Sequence, residues 1–171
     1  MTISLEIRAL VRAAYQYRCG YCRISEVEIG SELEIDHFQP TSRGGTNELD
    51  NLICVCTACN RFKGNYWPDA DTLDSLHLLH PGREDTNSHI MEMSDGRLFG
   101  LTPRGWFHIR WLHLNRVQLV ELRHLRSNSR ALNEMLEQTQ VVNHQLRTQI
   151  IELEEEINRL HLLINQLTRH L

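Results

Sequence analysis

The sequence predicts an α+β protein: a small ββα domain held by a cysteine metal site, an appended β-hairpin segment and a long C-terminal α-helical coiled coil. Three observations predict it. Two Cys-x-x-Cys pairs, Cys19/Cys22 and Cys56/Cys59, bracket a block of short apolar segments. Ser94-Asp95-Gly96 separates two further apolar runs, and Asp-Gly suits a tight turn. From Trp106 to Leu171 there is neither proline nor glycine, and a heptad repeat runs through the latter part. The expected divisions fall at residues 1–67, 68–110 and 111–171.

Composition narrows the class. An apolar fraction of 41% is that of a globular chain. No stretch approaches the ~20 apolar residues of a membrane span. The start, Met1 to Arg8, lacks the basic-then-apolar pattern of a secretory signal, so a cytoplasmic protein with no membrane role is expected. The formal net charge of −4 does not favour nucleic acid, although a local basic patch can still bind phosphates. Among 18 Lys plus Arg, Lys63 is the one lysine.

In chain order, residues 4–17 carry apolar positions at helical intervals behind Ser4, a candidate N-cap. The first cysteine pair follows, with Gly20 as the expected turn of a knuckle. Residues 33–38 read as a strand, and Pro40 with Gly44-Gly45 forces an irregular loop. Leu52 to Val55 is a second strand, and a short helix follows from Thr57, a possible cap. Residues 69–89 are acidic and dotted with histidine. Residues 89–93 and 97–101 flank the hairpin turn, Thr102 to Gly105 reads as another turn, and one long helix or two should occupy the remainder.

Leu146, Ile150, Leu153, Ile157, Leu160, Ile164, Leu167 and Leu171 alternate spacings of 4 and 3. Ile at the a positions with Leu at the d positions favours a two-stranded parallel coil, and Asn143 falls at an a position. Val142 and Leu163 widen the stripe. A homodimer through this coil is the favoured expectation, with a third helix, a protein partner or packing onto the chain's own globular part as alternatives.

The cysteine pairs leave 33 residues between Cys22 and Cys56. Cys19, Cys22, Cys56 and Cys59 together match a closed, tetrahedral, structural zinc site. Cys54 remains over, as a small buried hydrophobe.

Between and just after the pairs stand Asp36-His37, Pro40, Ser42-Arg43-Gly44-Gly45, Asn51-Leu52, Cys56-x-x-Cys59-Asn60 and Lys63-Gly64. In order and spacing this block, roughly residues 15–67, resembles the HNH endonuclease family, the ββα-metal nucleases, in its four-cysteine zinc subgroup. The family's last motif histidine is replaced by Asn60, a common variant. The resemblance implies hydrolysis of a phosphodiester bond in DNA. It implies a catalytic Mg²⁺ or Mn²⁺ on Asp36 and Asn60, with His37 as general base. A hard cation prefers such oxygen donors, and an imidazole suits proton abstraction at neutral pH. The same resemblance makes Asn51 a tie for the loop that orients His37, and Arg43 and Lys63 candidates for the phosphate backbone.

His77, His80, His89 and His108 lie outside the motif. Trp67, Trp106 and Trp111 are expected in core or interface rather than on bases. Two other readings stay open: a nuclease subunit active only when its coil docks on a partner protein, and a zinc-dependent nucleic-acid-binding module without catalysis.

Overall fold

A computed structural model describes residues 3–168 of the chain, without the side chains of Leu163 and of 166–168. Met1, Thr2 and the heptad position Leu171 lie outside the described residues, as does the side chain of Leu167. By contacts the chain divides into Met1–His124 and Leu125–Leu171.

The first unit opens with α1 (Leu5–Ala14), whose N-cap Ser4 accepts from the Ile7 N–H. The helix stops earlier than residue 17 because Gln16 and Tyr17 turn left-handed, at φ 55° each, and lead the chain toward the first cysteine pair. In the knuckle itself Arg23 (φ 62°), not Gly20, takes the left-handed position. A short helix that the apolar pattern did not announce follows, α2 (Glu26–Ile29), closed by a capping box between Ser25 and Glu28. Arg12 grips Glu26 through two 2.7 Å contacts and thereby ties α2 to α1.

Strands β1 (Glu34–His37) and β2 (Leu52–Val55) pair antiparallel, Glu34 opposite Val55 and His37 opposite Leu52. All four residues of β2 are buried, so it forms the centre of the core. Cys54 sits there fully enclosed, and burial pushes its thiol up to about 12, which keeps it neutral. Helix α3 (Thr57–Lys63) follows directly. Cys56, rather than Thr57, occupies its N-cap, and the Thr57 hydroxyl turns to Glu34 instead.

Residues 68–124 pack on the same core, through Leu78, Ile109, Leu112, Leu114 and Leu119. The hairpin of β3 (Ile90–Glu92) and β4 (Leu98–Gly100) is present. Its loop runs Ser94-Asp95-Gly96, and only Gly96 adopts positive φ, at 80°, as a three-residue loop requires. Thr102 to Gly105 is not a free-standing turn. Thr102 caps α4 (Pro103–Trp111) by accepting from the Gly105 N–H at 3.0 Å, and Pro103 takes the first helical position, where a missing N–H costs nothing. The proline- and glycine-free stretch after it is broken near His113 (φ 48°) and resumes as α5 (Val117–Thr168).

In the second unit the described residues are helical. Its seam leucines and isoleucines stand exposed in the single chain, for example Leu146, Ile150, Leu153 and Ile157. No described helix is long and apolar enough to cross a membrane.

Candidate active site

A strand sends alternate side chains to opposite faces, so Glu34 and Asp36 share one face of β1 and His37 takes the other. Helix α3 lies against the first face and meets it with one stripe, Thr57, Asn60 and Lys63, spaced three residues apart. The Thr57 hydroxyl donates to Glu34 Oε1 at 2.5 Å, and Asn60 Nδ2 donates to Glu34 Oε2 at 2.6 Å. Lys63 Nζ lies 2.8 Å from Asp36 Oδ2 and donates to the His37 carbonyl at 2.7 Å. The lysine side chain is 1% exposed and the Asp36 side chain 20%. A buried ammonium is tolerable only with such partners.

This arrangement leaves two oxygens with spare capacity. Asp36 Oδ2 is enclosed against the lysine, so the carboxylate's other oxygen, Oδ1, is the one left to coordinate. Asn60 commits its NH₂ group to Glu34, so its carbonyl oxygen is the end left to accept or coordinate. An oxygen-only donor pair on neighbouring elements fits a hard divalent cation.

On the other face His37 Nε2 sits 2.7 Å from Asn47 Oδ1. An amide oxygen only accepts, so Nε2 carries the proton and Nδ1 is left as the basic nitrogen. The loop that presents Asn47 is held by Asn51, which is 9% exposed. Asn51 Oδ1 accepts from the Gln39 N–H at 2.9 Å, and its Nδ2 donates to the carbonyls of Gln39 (3.1 Å) and Thr46 (2.8 Å). Asn51 thus pins the segment on both sides of Gly45, and the next residue but one touches the imidazole.

Below β2 the cysteine pairs converge. The Sγ atoms of Cys19, Cys22, Cys56 and Cys59 all lie within 4.8 Å of one another, all four residues are buried, and none is in a disulfide. Hydrogen bonds from the other three thiols hold Cys56 well below the ordinary thiol range, which favours the thiolate a metal needs. Four convergent sulfurs, closed to solvent, suit a structural zinc ion. Arg116 extends Nη2 to within 3.7 Å of Cys59 Sγ and 3.9 Å of Cys56 Sγ, and its guanidinium lies over the Phe62 ring. A cation there offsets the charge that metal-bound thiolates carry.

The remaining residues singled out in the sequence are placed as follows. Arg43 is exposed on the loop after β1, 3.4 Å from Asp69. His80 bonds the Asp50 carbonyl at 3.0 Å and accepts from the Gly82 N–H. His108 accepts from the Leu79 N–H at 3.0 Å, and burial holds it down at about 3. His77 and His89 contact Thr72 and Thr102. Trp67 packs edge-on to Phe38, whereas Trp106 and Trp111 are 39% and 38% exposed.

Three contributors escaped the sequence reading. Asn47 and Glu34 carry no motif of their own, and only the fold shows that they touch His37 and Asn60. Arg116 is 57 residues from Cys59 in the chain, beyond the reach of any spacing rule.

A two-stranded antiparallel sheet crossed by a short helix, with the Asp36 carboxylate and the Asn60 amide on the helix side and the His37 imidazole on the opposite face of β1, is a ββα arrangement. Residues 19–66 match the family model described as HNH endonuclease, so the chain carries an HNH endonuclease domain. The chain is also similar to the Septu protein PtuA of Bacillus mycoides, 24% identical over 144 residues covering 68% of this chain and 20% of that protein. A further match is the CRISPR-associated endonuclease Cas9 of Corynebacterium diphtheriae, 43% identical over 49 residues, 28% of this chain and 4% of that protein. The chain therefore spans a fifth or less of these relatives' length. No solved structure matches.

Proposed function

We propose that the chain is an endonuclease that hydrolyses phosphodiester bonds in DNA, with Asp36 and Asn60 holding a divalent cation and His37 activating water. The observation that carries this is the pairing of a polarised imidazole with two uncommitted oxygen donors on adjoining elements of an HNH domain.

His37 holds its Nε2 proton on Asn47 and takes the proton of the attacking water at Nδ1. Asn47 and Asn51 set the ring, so their loop fixes the direction of attack. Glu34 turns the Asn60 amide so that its oxygen faces away from the carboxylate. Mg²⁺ or Mn²⁺, when bound, neutralises charge on the phosphate and the leaving oxygen. Lys63 holds the Asp36 carboxylate in place, and through it adds positive charge beside the phosphate. Arg43, exposed and flanking the motif, contacts the backbone of the nucleic acid. Zinc on the four cysteines is structural.

The exposed heptad on α5 supports a parallel homodimer, which brings two sites together for double-strand cleavage. Sedimentation equilibrium showing a monomer ends that part of the reading. The same exposed stripe serves a second reading, in which the coil docks on a partner protein before the nuclease acts.

The decisive test is cleavage of supercoiled plasmid by zinc-loaded protein with Mg²⁺ or Mn²⁺, beside His37→Ala. Nicking by the native chain and none by the variant is expected. Equal nicking by both removes His37 from the mechanism, and no cleavage by either shifts the weight to partner activation.

A further inference from the structure

Helix α4 has two faces of different character. Gly105, His108 and Ile109 are buried on one. The other presents Trp106, Phe107, Arg110 and Trp111, and a groove of about 760 Å³ opens along it toward Phe62 and His113. Large rings seldom stand exposed together on a solvated helix, and a patch of them marks a binding surface. The groove falls within the about 300–1,000 Å³ of ligand sites.

The rings form a ladder. Phe62 stacks on His113 with centroids 4.4 Å apart and planes 30° apart. Trp111 lies 5.4 Å from Phe107 at 34° and 4.2 Å from Tyr66 at 45°. Phe62, Trp106 and Trp111 each keep more than a third of their surface open, at 37%, 39% and 38%. The charge of the lining is one-sided: Arg110 is its charged side chain, and no carboxylate lines the groove. In a chain of net charge −4 this is a local reversal. Phe62 stands on α3, on the side turned away from the stripe of Thr57, Asn60 and Lys63, so the groove opens behind the helix that carries the candidate cation donor.

We infer that this groove binds unpaired nucleobases, with Trp106 and Trp111 stacking the bases and Arg110 meeting the phosphates that link them. Every base has a π-face, so such a platform tolerates any sequence, and a basic rim supplies the backbone contact. An apolar protein segment would be served by the rings alone. The absence of carboxylates beside Arg110 favours a polyanion. The inference rests on the nuclease reading, since it supplies that site with a grip on its substrate strand.

The test is binding, read apart from cleavage. Zinc-loaded full chain carrying His37→Ala is titrated without added Mg²⁺ or Mn²⁺ into a fluorescein-labelled dT12 oligonucleotide, with an abasic strand of the same length and a duplex beside it. Fluorescence anisotropy and quenching of tryptophan emission are followed. Expected are saturable quenching by dT12, weaker binding of the abasic strand, and about five- to hundred-fold weaker dT12 binding after Trp106→Ala. Arg110→Glu weakens both oligonucleotides. Thermal melts show that each variant is folded, and Trp106→Phe, which keeps a ring, recovers most of the affinity.

Equal binding of abasic and dT12 strands, or dT12 affinity untouched by both substitutions, overturns the inference. A preference for duplex does the same. If Trp106→Ala instead converts a dimer to a monomer in sedimentation, the groove belongs to a second copy of the chain and the inference fails. Because neither Mg²⁺ nor Mn²⁺ is added and binding alone is read, failure to cut plasmid leaves these outcomes intact.

Discussion

Replacing Asn51 by alanine removes three hydrogen bonds at once and tests how the loop after β1 holds the candidate base. Two of them bracket Gln39, at 2.9 and 3.1 Å, and the third reaches the Thr46 carbonyl at 2.8 Å. Thr46 is exposed, so its carbonyl finds water and costs little. The Gln39 N–H and C=O are half-buried, and leaving such groups unpaired costs about 1–3 kcal/mol each. The expected loss is about 2–4 kcal/mol, which for a chain of this size lowers Tm by roughly 5–15 °C. Asn51→Asp keeps the acceptor for the Gln39 N–H but loses both donors and points a carboxylate at two carbonyls, so it recovers little. Circular dichroism melts of zinc-loaded protein read the stability, and plasmid nicking per folded molecule reads the orientation of His37. Nicking is expected to fall at least about tenfold, since general-base catalysis contributes about 10²–10⁴-fold when the imidazole is well placed. A variant that melts within about a degree of the native chain and cuts normally would refute the argument that this loop positions the base.

Two further outcomes are expected. Lys63→Met strands Asp36 beside a methyl thioether. Breaking a buried pair costs about 3–5 kcal/mol, less here because the carboxylate is partly exposed, so about 1–3 kcal/mol is expected in metal-free buffer. Mn²⁺ should then raise the Tm of this variant more than that of the native chain; equal increments would show that Lys63 and the cation do not share Asp36. The second outcome concerns acid. Burial depresses His108 to about 3, against an ordinary value of 6.5. The unfolded chain therefore binds a proton that the folded one refuses between those values, and stability falls as pH drops below 6.5. By pH 5 the loss from this one group is about 2 kcal/mol. His80, lowered first by burial and then by Arg83, acts in the same direction. His108→Gln, which can still accept from Leu79, should flatten the fall of Tm between pH 7 and 5; an unchanged slope would assign the acid sensitivity elsewhere.

Much of the site was legible because its signals are local. Cys-x-x-Cys spacing, an Asp-His dipeptide on a short strand and an Asn three residues before the lysine need no tertiary information. The same holds for the hairpin, where Asp95-Gly96 announced the turn, though not that Gly96 alone would bend left-handed. What escaped is what depends on distance in the chain. Glu34 orients Asn60 across 26 residues, and nothing in its neighbours distinguishes it from a solvated glutamate. Lys63 was a candidate for the phosphate backbone, yet the fold buries it against Asp36, since the third stripe position of α3 faces that carboxylate. Thr102-Pro103 was ambiguous for another reason: a cap followed by proline begins a helix as readily as it makes a turn, and the packing of Gly105 against the His89 carbonyl decides for the helix. Helix α2 was missed because four residues with a capping box carry too little periodicity to register.

The placement of the cysteines has a consequence for how such a unit travels between proteins. Cys19 and Cys59 stand at the two ends of the segment that holds His37, Asp36 and nearly all their supporting residues, and their sulfurs meet in space. A segment whose ends are joined at one point presents its host with a single attachment, whatever lies beyond. It can be set into a loop of a much larger protein without stretching either chain, and the 49 residues shared with a Cas9 are a stretch of that size. The cluster is in that sense a clasp.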